Sequence, residues 1–319
     1  MKKVFIDGSA GTTGLRIRER LSVRRDLEVV VLPDEVRKDP EARRAALNAA
    51  DVAFLCLPDA AAIEAVRMVE NPQTVVIDTS TAHRTAAGWE YGFPELAGRR
   101  ARIRRATRIA NPGCHASGFI ALVAPLVRAG VLPPDATLAA FSLTGYSGGG
   151  KKMIAEYEYE DEGAAANPLL SGGRQYALGQ SHKHLPEMAK VCGLDHAPCF
   201  SPIVVPHYSG MEVTVPLFAS QLRGVAAGDA LAALREIYRA AYAEEGLVRF
   251  VEDPSADEGG FLSSAALSGR DDMEVSIFGN AERLLLVARF DNLGKGASGA
   301  AIQNMNLVLG CAEGEGLVF

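Results

Sequence analysis

The chain has 319 residues but only one tryptophan, five cysteines and fewer positive than negative charges. Its 33 Lys and Arg against 39 Asp and Glu give a net charge of −6, which argues against general nucleic-acid binding. The sequence has no apolar run long enough to span a bilayer. The apolar run after Lys3 stops at Asp7, which is too short for a signal peptide. We therefore expect a cytoplasmic protein that acts on neither nucleic acid nor membranes.

The cysteines are odd in number, and no pair of them has the spacing of zinc ligands. We therefore expect reduced thiols and no metal site. Cys114 differs from the others because it follows Asn111-Pro112-Gly113 and precedes a stretch, residues 116–127, with apolar side chains at three- and four-residue spacing. Gly130 and Pro133 end this pattern. The spacing predicts a helix with Cys114 at or next to its first turn.

A cysteine at the start of a helix has two interpretations. It is either a buried structural thiol or a nucleophile, since the positive end of the helix stabilises a thiolate and an oxyanion. A nucleophilic thiol needs a base. Of the six histidines, His182 and His184 are the better candidates because they lie close together before a predicted short helix. His207, which follows Pro206, is a candidate substrate contact.

The N-terminal residues predict a dinucleotide-binding loop. A short strand, residues 3–7, runs directly into a glycine-rich turn and then a helical pattern from Leu15. The spacing G-x-x-G-x-x-G differs from the regular fingerprint, but glycines still admit a pyrophosphate at a helix N-terminus. The alternative is a tight turn without a ligand. The candidate cofactor-binding residues of the loop are Gly8, Ser9, Gly11, Thr12, Thr13 and Gly14.

Further strands at residues 27–32, 51–57 and 74–78 alternate with helical segments, which predicts a doubly wound parallel sheet. The carboxyl ends of such strands line the ligand crevice. This places Leu57, Pro58 and Ser80 near a cofactor, and Arg84 near the cofactor or its substrate. After the second strand, Asp34 favours NAD, whereas Arg37, Lys38 and the small Ser9 favour NADP.

The pattern changes after the Cys114 helix. Strands at residues 137–143, 203–205 and 212–218, and a hairpin at residues 274–278 and 284–290, predict an α+β domain with a mainly antiparallel sheet. We expect residues 145–152 to be a flexible loop and the acidic residues 156–162 to be solvated. An apolar helix, residues 300–309, follows the glycine-rich segment after Asp291.

Several motifs together resemble those of the N-acetyl-gamma-glutamyl-phosphate reductase family, in its shorter form. They cover almost the whole chain and fall in the family's order. The motifs are the Gly8–Gly14 loop, Asn111-Pro112-Gly113-Cys114, Gly92-Phe93-Pro94-Glu95-Leu96, His182-Lys183-His184-Leu185-Pro186-Glu187 and Asp291-Asn292-Leu293-Gly294-Lys295-Gly296.

The resemblance implies reduction of N-acetylglutamyl 5-phosphate by NADPH to the semialdehyde, with release of phosphate, in arginine biosynthesis. It implies that Cys114 forms a thioester and that His184 is the acid and base. His182, His207 and Arg84 would contact the substrate, and Asn292 the cofactor. It also implies a semialdehyde dehydrogenase architecture. In this architecture residues 1–113 and 295–319 bind the dinucleotide, and residues 114–294 form the catalytic and dimerisation domain. The protein would be a homo-oligomer, a dimer or tetramer.

The sequence departs from the family pattern after Pro206-His207, where the usual arginine is missing. The cation that binds the substrate's α-carboxylate is therefore open, with Lys151, Lys152, Lys183 and Arg84 as candidates by charge. Other functions also stay open: a reductase of aminoadipyl or aspartyl phosphate, a cysteine acyl-transferase or hydrolase with a vestigial nucleotide fold, or a non-catalytic nucleotide sensor.

Overall fold

The computed structural model describes residues 1–158 and 167–319. Most of the acidic segment at residues 156–162, which we expected to be solvated, lies outside the described residues. The described chain forms two compact units: the first contains Met1–Gly113 and Ala297–Val318, and the second contains Cys114–Gly296. No helix among the described residues has both the length and the apolar character needed to cross a membrane.

The first unit is built on a parallel sheet in the strand order β2-β1-β3-β4-β6-β5. All four residues of β3 are buried, as expected for a strand covered on both faces. The doubly wound sheet predicted from the sequence is confirmed. The strands are β1 (Lys2–Asp7), β2 (Leu27–Val30), β3 (Val52–Leu55), β4 (Val75–Asp78), β5 (Glu90–Tyr91) and β6 (Arg108–Ala110).

Helices cover both faces of this sheet. One core contains Val4, Phe54 and Ile302, and a second core contains Phe5 and Leu55. Because alternate residues of a strand point to opposite faces, Val4 and Phe5 belong to different cores. The helices of the unit are α1 (Thr12–Leu21), α2 (Pro40–Ala49), α3 (Asp59–Arg67), α4 (Arg99–Ile103) and, from the end of the chain, α9 (Gly299–Leu309).

The second unit contains a seven-stranded mixed sheet in the order β11-β12-β13-β10-β7-β9-β8. The pairs β7/β9 and β11/β12 are parallel, and the other four pairs are antiparallel, as predicted. The predicted hairpin is formed by β12 and β13. The strands are β7 (Ala139–Gly145), β8 (Arg174–Gln175), β9 (Cys199–Val205), β10 (Met211–Phe218), β11 (Val248–Phe250), β12 (Met273–Gly279) and β13 (Arg283–Phe290).

The longest helix among the described residues of this unit, α5 (Cys114–Arg128), packs directly on the sheet. A Cβ atom at Gly118 would lie 2.6 Å from the Val213 side chain and 2.8 Å from that of Phe290, so glycine permits this close approach. On another side, the Tyr242 hydroxyl donates to the carbonyl of Ala121 at 2.6 Å. The remaining helices of the unit are α6 (Gly150–Glu158), α7 (Leu185–Cys192) and α8 (Ala230–Tyr242).

The prediction of a flexible loop at residues 145–152 is wrong. A short 3-10 helix, Tyr146–Gly149, leads directly into α6. The backbone N–H groups of Gly145, Tyr146 and Ser147 donate to carbonyls of residues 207–210 at 2.9 to 3.0 Å. These contacts with a segment distant in sequence fix a glycine-rich stretch whose composition alone is typical of a loop.

Candidate active site

Cys114 is the first residue of α5, as the sequence predicted, and its side chain is partly exposed. The first N–H groups of a helix have no partner within the helix, and the helix dipole is positive at this end. Both features stabilise a thiolate and an oxyanion formed beside it. By contrast, burial raises the pKa of Cys56 to about 12, so that thiol stays protonated. Cys114 therefore has the location of a nucleophile.

A glycine-rich turn packs against the Cys114 side chain. A Cβ atom at Gly296 would lie 2.9 Å from the Cβ of Cys114. Gly296 lies in a π-helical turn, Gly294–Ser298, a conformation that is rare and often found at functional sites. Asp291 anchors the turn, since its buried carboxylate accepts from the N–H groups of Leu293 at 2.7 Å and Gly294 at 3.2 Å. The turn thus limits where the Cys114 side chain lies.

His115, which follows the cysteine, is buried and has both ring nitrogens engaged. Nδ1 lies 2.7 Å from Oγ of Ser142 on β7, and Nε2 lies 2.7 Å from the hydroxyl of Tyr176. Burial, followed by the charges of His182 and Lys183, lowers the pKa of His115 to about 3. The imidazole is therefore neutral at pH 7 and unsuited to be the general acid.

The two histidines predicted from the sequence lie beside His115. The ring centres of His182 and His184 are 5.4 and 5.5 Å from that of His115, and 4.7 Å from each other. The backbone N–H of His184 donates to Nδ1 of His182 at 3.1 Å, so His182 fixes the approach to α7. We call His115, Tyr176, His182 and His184 the histidine cluster.

Glu187 stands next to this cluster, and the sequence assigns it no catalytic or binding role although it ends the His182–Glu187 motif. Its Oε1 lies 4.0 Å from Nε2 of His184, and both side chains are buried. The Glu187 carboxylate therefore faces the imidazole that the sequence predicts as the acid and base. His184 and Glu187 are three residues apart at the start of α7, and this spacing in the sequence indicates that the two side chains lie close together.

Tyr176 was also missed, because its neighbours come from distant segments. The residues after it include Ala177 and Gln180, both with φ of 53°, a conformation that costs energy for non-glycine residues. The side chain of Gln180 bonds the backbone N–H and carbonyl of Phe200 at 2.8 and 2.9 Å. Burial and then the charge of Cys114 raise the pKa of Tyr176, which lies within electrostatic reach of the thiol.

His207 and Asn292 also belong to the second unit, and their side chains have partners there. Nε2 of His207 lies 3.0 Å from Oγ of Ser264. The Asn292 amide accepts from the N–H of Gly210 at 2.9 Å and donates to Ser147 Oγ at 3.0 Å. The predicted substrate role of His207 and cofactor role of Asn292 therefore stay predictions.

In the first unit, the glycine loop has the form that a dinucleotide requires. Gly8 has φ of 86°, and a Cβ atom there would lie 2.3 Å from the Cys56 carbonyl oxygen. A Cβ atom at Gly14 would lie 2.5 Å from the carbonyl oxygen of Gly8. Only glycine fits at either position. The loop, with Gly11, Thr12 and Thr13, leads into α1, whose N-terminus favours a phosphate.

A cavity of about 220 Å³ adjoins this loop. Gly8, Ser9 and Leu57 line it together with three cations, Arg37, Lys38 and Arg43, of which Arg43 pairs with Asp7 at 2.9 Å. The competing acidic residue Asp34 has a side chain that is 87% exposed and pairs with Arg37 at 2.9 Å. The basic lining and the glycine turn fit a phosphorylated dinucleotide.

Arg84 and Ser80 lie at the carboxyl end of β4, as expected, and their polar groups have partners within the first unit. The Arg84 guanidinium donates to the carbonyls of Thr79 and Asn111, each at 3.1 Å. Ser80 Oγ donates to Asp78 at 2.7 Å. Pro58 directly precedes α3. The assignment of Arg84 to the substrate and of Ser80 and Pro58 to the cofactor stays a prediction.

A doubly wound dinucleotide-binding sheet, followed by a mixed-sheet unit that begins at a cysteine beside histidines, defines an oxidoreductase of the semialdehyde dehydrogenase class. Two family models agree: "Semialdehyde dehydrogenase, NAD binding domain" matches residues 33–106, and "Semialdehyde dehydrogenase, dimerisation domain" matches residues 114–292. The chain belongs to the N-acetyl-gamma-glutamyl-phosphate reductase family. The family resemblance found in the sequence is thereby confirmed.

The relatives that establish the family match over nearly their whole length. The N-acetyl-gamma-glutamyl-phosphate reductase of Burkholderia ambifaria is 46% identical over 315 residues, which cover 97% of each chain. N-acetyl-gamma-glutamyl-phosphate reductase 2 of Pseudomonas putida is 44% identical, with 98% of each chain covered.

Solved structures share the fold at much lower identity. Aspartate semialdehyde dehydrogenase II from Vibrio cholerae is 16% identical with a TM-score of 0.70, covering 97% of this chain and 98% of that one. A probable aspartate-semialdehyde dehydrogenase from Pseudomonas aeruginosa is 18% identical with a TM-score of 0.69 and the same coverage.

Proposed function

We propose that this protein reduces N-acetyl-γ-glutamyl phosphate with NADPH to N-acetylglutamate 5-semialdehyde and phosphate, the step of arginine biosynthesis implied by the sequence. The observation that carries the proposal is Cys114 at the start of α5 beside the histidine cluster, in a chain 44–47% identical to reductases named for this substrate. Acyl phosphates are good acyl donors to a thiolate, so the residues present suit the substrate.

The first half of the reaction is acyl transfer to the protein. The Cys114 thiolate attacks the γ-carbonyl carbon, and the oxyanion that forms is stabilised by N–H groups of the first turn of α5. When the carbonyl re-forms, the carbon–oxygen bond to the phosphate breaks and phosphate leaves. The product is a thioester on Cys114.

When bound, NADPH supplies the hydride that reduces the thioester carbonyl carbon. The oxygen of the resulting thiohemiacetal takes a proton from His184. The same residue then removes this proton, the carbon–sulfur bond breaks, and the semialdehyde leaves with Cys114 again a thiolate. His182 holds His184 through the backbone N–H, and the Glu187 carboxylate lies 4.0 Å from Nε2 of His184.

The first unit would bind the pyrophosphate of the cofactor at Gly8–Gly14 and α1. Ser9, Arg37 and Lys38 beside the cavity would hold the 2′-phosphate, which distinguishes NADP from NAD.

We also propose a homo-oligomer, a dimer or tetramer, located in the cytoplasm. The matched family model for residues 114–292 is described as a dimerisation domain. Three neighbouring strands of the second unit's sheet carry exposed large apolar side chains, Phe141 on β7, Phe218 on β10 and Leu285 on β13, and such patches favour association. The five cysteines are all thiols, as is usual in a reducing compartment.

The function is tested in the reverse direction. Purified protein should reduce NADP with N-acetylglutamate semialdehyde only when phosphate or arsenate is present, and much more slowly with aspartate semialdehyde. Preference for aspartate semialdehyde would assign a sister reductase instead. Failure to bind NADPH would favour an acyl-transferase or hydrolase and would contradict the proposal.

A further inference from the structure

We propose that Arg174 is the cation that binds the α-carboxylate of the substrate and thereby selects an acidic acyl group. The inference rests on the proposed function, and it concerns a residue that neither the motifs nor the family resemblance singled out. It answers a specific problem, since the arginine usual after the family's Pro-His pair is missing at residues 206–212.

The sheet register places Arg174 on the same side of the sheet as the histidine cluster. Arg174 on β8 is paired with Val204 on β9, which is paired with Thr144 on β7. Paired residues of neighbouring strands project to one face. Tyr176 lies two residues after Arg174, and Ser142 two residues before Thr144, so both project to this face as well. These two side chains hold His115, the neighbour of Cys114.

The guanidinium of Arg174 is held in a fixed position and already bonds a carboxylate. Nη1 donates to Oε1 of Glu156 at 2.9 Å, and Nε donates to the hydroxyl of Tyr157 at 3.0 Å. The guanidinium also lies over the Tyr157 ring, 4.9 Å from its centre. The Arg174 side chain is 33% exposed and that of Glu156 is 44% exposed, so a substrate carboxylate has access to the guanidinium. Glu156 occupies the position that we assign to the substrate carboxylate.

The substrate carries its α-carboxylate a short way from the reacting carbon. In N-acetylglutamyl phosphate, four carbon–carbon bonds separate the reacting carbonyl from the α-carboxylate, about 5 Å when extended. Two residues of a strand advance about 6.6 Å, the spacing between Arg174 and the residue that contacts His115. The cation that binds this carboxylate therefore has to lie near the acyl group on Cys114.

The other candidate cations are less suitable. The Arg84 guanidinium donates to two backbone carbonyls of the first unit. Lys151, Lys152 and Lys183 are exposed, and an ammonium group binds a carboxylate as a point charge. The planar guanidinium of Arg174 binds a carboxylate through two parallel N–H groups, which adds geometric selection. The charge of Lys183 contributes to the lowered pKa of His115, so Lys183 is the candidate cation that best serves as a control for Arg174.

The test compares two aldehydes in phosphate-dependent NADP reduction: N-acetylglutamate semialdehyde and 4-acetamidobutanal, the same molecule without the α-carboxylate. For Arg174→Met we expect kcat/KM to fall at least about tenfold with the first aldehyde, as is typical for loss of a hydrogen bond to a charged group. With 4-acetamidobutanal it should change less than about twofold. Lys183→Met should retain the preference of the unchanged protein for the carboxylated aldehyde.

Glu156→Gln provides the second arm. Removing the internal carboxylate should lower KM for N-acetylglutamate semialdehyde and leave that for 4-acetamidobutanal unchanged. An equal loss with both aldehydes in Arg174→Met, or loss of the preference in Lys183→Met alone, would overturn the assignment. NADP binding and urea unfolding show whether Arg174→Met is folded. If it is not, Arg174→Lys takes its place. Because lysine offers only a single point charge, Arg174→Lys should lose most of the preference for the carboxylated aldehyde. Absence of turnover in the unchanged protein would instead contradict the proposed function.

Discussion

The hydroxyl of Tyr176 lies 2.7 Å from Nε2 of His115, the residue directly after Cys114. His115 bonds Ser142 through its other nitrogen, so one neutral imidazole connects β7 with the segment after β8. This chain of contacts fixes the start of α5 from two sides. The nucleophile is therefore held by its neighbour in sequence as well as by the helix it begins.

Removing the Tyr176 hydroxyl should weaken this support. In Tyr176→Phe, Nε2 of His115 stays buried and loses its partner, which typically costs about 1–3 kcal/mol. We expect the free energy of unfolding in urea to fall by that amount, and the rate of Cys114 alkylation to change. Tyr208→Phe, at an exposed tyrosine, is the control and should leave both unchanged. Equal stability of the two variants would show that the contact contributes nothing.

The buried His115 also predicts a pH dependence of stability. Its pKa is about 3 in the folded protein and about 6.5 when unfolded, so between these values only the unfolded chain takes up the proton. Stability should therefore fall as the pH falls from 6.5 toward 3, by up to about 1.4 kcal/mol per pH unit from this group.

The measurement is urea unfolding of the unchanged protein and of His115→Gln at a series of pH values from 5 to 7. Other titrating groups contribute to both proteins and cancel in the difference. We expect the variant to lose less stability on acidification. Parallel curves would mean that His115 takes up its proton equally well in the folded state.

Gly296 should control the position of the nucleophile without entering the chemistry. In Gly296→Ala, the new methyl group would lie 2.9 Å from the Cβ of Cys114, and one of the two must move. Because small misplacements of reacting groups are costly, we expect kcat to fall at least about tenfold while NADP binding stays unchanged. Gly246→Ala, where the added Cβ would have no atom within 4 Å, should retain full activity. An active Gly296→Ala enzyme would show that the site tolerates the shift.

The cations beside the cavity predict which dinucleotide binds. In Arg37→Ala, loss of a charged hydrogen bond to the 2′-phosphate should weaken NADPH binding about tenfold or more and leave NADH binding nearly unchanged. Titration of both cofactors by fluorescence measures the two Kd values. A similar loss for both cofactors would place Arg37 away from the 2′-phosphate.

Much of the fold follows from local sequence patterns. The apolar run of β3, the alternation in β10 and β13 and the glycine loop before α1 each predict their element, because hydrophobic periodicity and turn residues act over short distances. Cys114, His182 and His184 were named from short motifs, and the structure brings the two histidines next to His115.

What the sequence missed depends on contacts between distant segments. Tyr176 meets His115, 61 positions away in the chain, because of the loop after β8, and Arg174 faces the same side through the register of β8, β9 and β7. The glycine-rich residues 145–150 were misjudged for the same reason, since residues 207–210 fix them. Such long-range pairing is set by packing and has no local signature.

The most direct test of the account is to trap the acyl group on Cys114. Protein mixed with N-acetylglutamyl phosphate in the absence of NADPH should release one equivalent of phosphate, and peptide mass spectrometry should find one N-acetylglutamyl group on Cys114. Cys114→Ser, which retains the first unit unchanged, should bind NADPH and lose phosphate-dependent reduction. An acyl group on another residue, or steady NADP reduction by Cys114→Ser, would contradict the account.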